Sequence, residues 1–151
     1  MKRRDKEVIM DEETLERALA RITHEILERN QGVKDLALIG IRTGGVYLAE
    51  RIRDKIEQME RVRIPSGIID ITLYRDDFAI GLPRPLVGKT EIPFSLKEKK
   101  VVLVDRGHRE LPIQADYVGK KIITTPQEEV TVTFRELEGQ DRVVVQEIIP
   151  E

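Results

Sequence analysis

The sequence predicts an α/β fold, a mostly parallel sheet flanked by helices. Two observations carry this. Leu36-Ala37-Leu38-Ile39-Gly40-Ile41 and Lys100-Val101-Val102-Leu103-Val104-Asp105 contain short, continuous apolar runs, the pattern of strands buried on both faces of a parallel sheet. The first run is followed by a polar, glycine-bearing turn and then by apolar residues at helical spacing, giving strand, loop and helix in order. At 151 residues the chain has the usual length of one domain, so residues 1–151 read as a single unit able to bury a core without staples.

The elements follow in order. The charged start, Met1 to Glu7, is expected to run straight into a helix. From 11 to 29, Leu15, Ala18, Leu19, Ile22, Ile26 and Leu27 recur at helical spacing, with Asp11 as N-cap and Asn30-Gln31-Gly32 as the stop. After the strand at 36–41, Val46, Leu48, Ala49, Ile52, Ile56 and Met59 mark a second amphipathic helix reaching about Glu60. A strand is expected at 66–74. The stretch 75–100 contains Pro83, Pro85 and Pro93 with little periodicity, and reads as a flexible arm. Lys100 to Asp105 is a further buried-type strand. Segments 116–120, 130–134 and 142–145 suggest short closing strands.

Composition excludes several classes. There is no cysteine, so disulfides, thiolate catalysis and cysteine-based zinc sites are unavailable and a reducing compartment is indicated. No segment approaches the roughly 18 apolar residues of a membrane span, and the charged start is unlike a signal peptide. The reading is a cytoplasmic protein without a membrane partner. Charged residues form 36% of the chain but leave a net charge of only -2, so any nucleic-acid site must be a local patch. Aromatic residues are 4%, with no tryptophan, which leaves little for a base-stacking platform.

In an open α/β sheet, ligands bind outside the carboxyl ends of the strands, where backbone N–H groups and helix N-termini point. Three loops qualify: Arg42-Thr43-Gly44-Gly45, the corner at Tyr74-Arg75-Asp76-Asp77, and Asp105-Arg106-Gly107-His108-Arg109-Glu110. A Thr-Gly-Gly turn opening a helix offers unhindered amides and a hydroxyl suited to pyrophosphate, or serves as a tight turn and nothing more. Arg75-Asp76-Asp77 is equally a polar strand end with a local ion pair. His108, between Arg106 and Arg109, is either an exposed histidine or a group touching base or phosphate.

Taken together, Arg21-Ile22-Thr23-His24-Glu25, the segment from Gly40 to Ala49, Asp70-Ile71-Thr72-Leu73-Tyr74-Arg75-Asp76-Asp77, and Leu103-Val104-Asp105-Arg106-Gly107-His108-Arg109-Glu110-Leu111-Pro112-Ile113 resemble the PyrR family. These are bacterial pyrimidine-operon attenuation regulators that are also uracil phosphoribosyltransferases, and the resemblance runs from about Val8 onward. It implies a phosphoribosyltransferase-like fold and transfer of ribose 5-phosphate from phosphoribosyl pyrophosphate (PRPP) to uracil, yielding UMP and pyrophosphate, with Mg²⁺ carried on the PRPP. By the same resemblance Thr43, Gly44 and Gly45 form the pyrophosphate loop, and Arg75, Asp105, Arg106, His108 and Val130 lie near the bound nucleotide. His24, Arg29, Arg109 and Lys120 match positions that contact the pyrimidine-operon mRNA hairpin; Ala20 and Gln114 stand where the family commonly has threonine and arginine. No side chain is assigned as catalytic and none as a metal ligand.

One family feature is missing. The strand should lead into two acidic residues and a Thr-Gly turn whose amides cradle the 5-phosphate. Here Asp105 passes directly into Arg106-Gly107-His108, which in the family follows a later strand. The fold is therefore expected to be shortened by one helix-strand unit, with transferase activity lost. A nucleotide- or RNA-binding module without catalysis, or an engineered deletion, is the competing reading. Apolar faces uncovered by the loss favour a homo-oligomer, at least a dimer.

Overall fold

The structure is a computed structural model that describes residues 2–70, 90–106 and 114–150. The chain divides into two compact units, Met1–Ile22 with Tyr117–Glu151, and Thr23–Asp116.

The first unit is built on an antiparallel sheet. Its strands are β1 (Lys2–Met10), β5 (Glu128–Thr133) and β6 (Arg142–Ile149), in the order β1-β6-β5. The charged start thus forms a strand of nine residues instead of running into a helix. Local pattern could not show this, because most of β1 is exposed and its partner β6 lies at the other end of the chain. What holds it, beside the ladder, is charge placed across strands: Arg3 with Glu129, Lys6 with Glu128, Arg4 with Glu147 at 2.6 Å and Arg142 with Asp5 at 3.3 Å. Opposite charges facing across a sheet stabilise it by fractions of a kcal/mol to about 1 kcal/mol per pair. Met10, Val144 and Val145 are buried, the two valines on opposite faces of the sheet.

The Lys6 ammonium is held above its ordinary range, first by its hydrogen bond to Glu128. The Glu128 carboxyl is lowered by that same bond, and next by the Thr125 backbone N–H. A carboxyl lowered on folding stabilises the native state above its unfolded pKa, and that contribution is lost as pH falls through the folded one; the raised lysine loses its share only at alkaline pH. Urea midpoints measured across the acid range are expected to fall less steeply for Glu128→Gln than for the parent chain. Superimposable acid limbs would show that this pair does not drive the loss.

Residues 116–120, expected as a strand, form bends instead. The carbonyls of Val118 and Gly119 accept hydrogen bonds from the Arg21 guanidinium, each at 2.9 Å, so a side chain meets the need a strand ladder would have met. A short helix the sequence did not announce, α3 (Arg135–Glu138), follows β5. Its amide donors are taken by carboxylates: Phe134 N–H donates to Glu138 at 2.7 Å and Arg135 N–H to the buried Asp141 at 2.8 Å.

Helix α1 (Glu12–Arg29) starts in the first unit and ends in the second. Asp11 caps it as expected: its carboxylate accepts the Thr14 N–H at 2.8 Å, while the Thr14 hydroxyl accepts the Asp11 N–H at 2.8 Å. This reciprocal bonding satisfies donors that a helix start otherwise leaves open. At the other end the Gly32 N–H returns to the Leu27 carbonyl at 2.9 Å.

The second unit carries the parallel sheet: β2 (Leu36–Ile41), β3 (Ser66–Ile69) and β4 (Lys100–Val104), in the order β3-β2-β4, both neighbours parallel to β2. β2 is the centre and is buried along its whole length, as its unbroken apolar run requires. Helix α2 (Gly44–Glu60) returns over the sheet and buries Leu48, Ala49, Ile52 and Ile56. Residues 71–74 of the expected third strand and most of the 75–100 arm lie outside the described residues; at the near end of that arm Glu91 pairs antiparallel with Ile68.

β4 departs from its expected character. Val101 is 38% and Leu103 61% exposed, so only one of its faces is covered. Among the described residues the sheet ends at β4, which makes an apolar run suited to a central strand serve at an edge.

Candidate functional site

Each parallel strand ends at the same side of the second unit, and the loops there assemble the site. The Arg42 N–H donates to the Ile69 carbonyl at 2.9 Å, tying the end of β2 to the end of β3. The Arg42–Thr43 peptide is cis. Thr43 is the N-cap residue of α2; it is exposed, whereas Gly44 and Gly45 are buried. The first turn of α2 holds no acidic side chain of its own, and the positive end of this 17-residue helix favours anions.

Glycine at 40 and 45 is a steric requirement. A Cβ built on Gly40 would lie 2.7 Å from the Cα of Val46, and one on Gly45 would press into the Val104 carbonyl oxygen and lie 3.2 Å from the Asp105 Cα. The start of α2 is thus seated directly against the ends of β2 and β4. This sets Gly45 against Asp105; Asp105 and Arg106 are both half-buried. The sequence placed these loops on the same side; the close approach of Gly45 to Asp105 was not readable from it.

A phosphoribosyl transferase domain, as a family, matches residues 7–107. The "Bifunctional protein PyrR" of Pelotomaculum thermopropionicum is 44% identical over 176 residues, covering 95% of this chain and 97% of that protein. Its namesake in Geobacter sulfurreducens is 46% identical over 162 residues, with 86% and 92% covered. The one in Clostridioides difficile is 42% identical over 175, with 95% and 99% covered. The chain belongs to the PyrR family of phosphoribosyltransferases. The α/β fold with its parallel sheet is the one this membership implies.

Against the PyrR pattern, the remaining site residues distribute as follows. Arg75, His108 and Arg109 lie outside the described residues. Val130 belongs to the first unit, half-buried in β5 opposite Val145 of β6, where it also packs the sheet. His24 and Arg29 are both exposed on α1, and Arg29 is 3.5 Å from the Asp116 carboxylate. Lys120 is exposed in the first unit, directly after the carbonyls that Arg21 holds.

Arg21 entered the sequence reading only within the segment 21–25, with no role of its own. It sits four residues after Arg17 and three before His24, so the three share one exposed helix face. That spacing was a usable signal. Its second role, fixing the segment that leads into Lys120, depends on a partner 97 residues away and left no local trace.

A hollow of about 410 Å³ lies at the amino end of β3, lined by Glu50, Arg53, Ser66, Gly67, Ile92 and Pro93. There the Arg53 guanidinium donates to the Ile64 carbonyl at 2.7 Å. It is away from the carboxyl ends of the strands and has no helix N-terminus, the features that favour anion binding.

Among the described residues no helix is long and apolar enough to cross a membrane. Nor do three histidine or carboxylate side chains gather there as a metal site.

Proposed function

We propose that this chain is a cytoplasmic pyrimidine-operon attenuation regulator, a homo-oligomer that binds an mRNA hairpin in response to UMP, and that it no longer transfers ribose phosphate. The observation that carries the second half is the junction at the end of β4. Asp105 continues directly into Arg106, with no pair of acidic residues and no Thr-Gly turn to surround a 5-phosphate. The relatives' lengths support a missing segment: the match to the Pelotomaculum protein spans 176 residues, whereas this chain has 151.

The pyrophosphate half of the site is retained. Buried Gly44 and Gly45 present the amides of the α2 start, and Thr43 adds a hydroxyl beside them. Asp105, Arg106 and, by family position, Arg75, His108 and Val130 are the groups for nucleotide. By family resemblance, Mg²⁺ would enter with PRPP, whose phosphates supply its oxygen ligands.

For RNA, the reading rests on the basic residues of α1, which share their side of the helix with Glu13 and Glu28, and on Lys120, with Arg109 by family position. Arg17, Arg21 and His24 lie along one side of the helix and Arg29 follows at its end. A net charge of -2 means the binding is local and electrostatic, and therefore salt-dependent. Filter binding of a pyrimidine-leader hairpin at two salt concentrations, with and without UMP, tests this. Binding is expected to weaken with salt and strengthen with UMP, and Lys120→Ala is expected to lower the slope of log K against log salt by about one. No retention of the hairpin at either salt concentration would refute the regulator reading.

A further inference from the structure

We infer that the outer edge of β4 is a self-association surface, on which β4 of a second copy pairs antiparallel about a two-fold axis through Val102. This deepens the homo-oligomer reading above and rests on it. The Lys100 N–H points inward, donating to the Asp35 carbonyl at 2.7 Å. Backbone groups alternate sides along a strand, so those of Val101 and Leu103 point away from β2. Among the described residues no strand lies on that edge.

An antiparallel copy centred on Val102 puts Val101 opposite Leu103 of the second chain, and Leu103 opposite its Val101. Both are outward-pointing residues, so both pairs exchange N–H···O bonds, while the two Val102 residues face each other as a pair without such bonds. The same register joins the two side chains that β4 leaves bare, Leu103 at 61% and Val101 at 38% exposure. It also sets Lys99, just before the strand, across from Asp105, just after it, at both ends. A shift by one residue would set outward-pointing residues against inward-pointing ones and move Lys99 from its opposite charge. The strand is thus self-complementary in hydrogen bonding, apolar contact and charge. Exposed edge strands ordinarily carry features that block such pairing; here the outward residues of β4 are a valine and a leucine.

The absence of cysteine makes the test clean, because Val102→Cys introduces the sole thiol. Residues facing each other as a non-bonded antiparallel pair lie about 4.5 Å apart at Cα, within disulfide range. Mild oxidation of Val102→Cys in the full chain is expected to give mostly linked dimer, well above an exposed Ser95→Cys control. Adding Lys99→Glu should lower the yield several-fold, and Lys99→Glu with Asp105→Lys should restore it. Equal linking at 102 and 95 would overturn the proposal. Should Val102→Cys fold poorly, Leu103→Lys, at an already exposed position, is read by sedimentation over a concentration series. If the parent chain associates and Leu103→Lys does not, the surface is right. If both associate alike, this surface is wrong and the oligomer reading stands; if the parent chain stays monomeric throughout, both fall.

Discussion

Incubated with uracil, PRPP and Mg²⁺, the protein is expected to form no UMP above the uncatalysed background. Phosphoribosyl transfer makes little demand on covalent chemistry and a large one on positioning: the ribose must be held while charge builds on the leaving pyrophosphate. In the proposed reading, the amides at Gly44 and Gly45 would meet part of that demand. The 5-phosphate, which anchors the other end of the ribose, needs its own nest of amides. The chain offers instead Asp105 followed by Arg106, in a strand end pressed against Gly45. Losing one preorganised donor to a developing oxyanion costs about 100- to 1000-fold in rate, and an entire loop supplies several donors. A radiolabelled-uracil assay checks this, and turnover at a rate typical of enzymes would mean that other residues grip the phosphate. The same sample should still retain the RNA hairpin, so a dead preparation and a regulator without catalysis are told apart.

How much of this was legible beforehand depended on whether the signal was local. The helix at 12–29, the strand at 36–41 and the helix at 44–60 were readable because period and caps lie inside each element: Asp11 and Thr14 bond to each other, and β2 is apolar throughout because it is buried throughout. β1 was not readable, since its ladder partner β6 and its charge partners Glu128, Glu129 and Glu147 lie at the far end of the chain. α3 is four residues long and held by the carboxylates of Glu138 and Asp141, too short for any periodicity. β4 was misjudged for an instructive reason. Val101 and Leu103 give the composition of a central strand, yet they stand at an edge, which is what a sequence would show if a neighbouring strand had been removed while its partner's residues stayed. The Thr43-Gly44-Gly45 turn was legible as the opening of a helix. Its seating against Asp105 follows from tertiary packing, and the sequence recorded it only as a pair of glycines.

Replacing one of those glycines should have the largest effect on stability of any single methyl addition near the site. Gly45→Ala is expected to destabilise the fold by about 1 to 3 kcal/mol, the usual cost of forcing added volume into a packed region, with a lowered urea midpoint. The obstruction is the Val104 carbonyl, a backbone atom inside the β2–β4 ladder that cannot rotate aside as a side chain would. Relief would require α2 to lift from the sheet, exposing part of the apolar surface that Leu48 and Ile52 bury. Gly119→Ala is the matched control: its nearest neighbour would be the Ile22 side chain at 4.0 Å, so its change should stay within about 0.5 kcal/mol, as at ordinary surface positions. The two variants differ from the parent by the same atoms, so unfolded-chain effects of losing glycine largely cancel between them. Equal midpoints would mean that α2 and β4 do not meet at Gly45, and would remove the geometric basis for joining the pyrophosphate loop to Asp105. A large gap would establish that contact independently of any ligand. It would also show that the start of α2 is held in place by backbone packing against the end of β4.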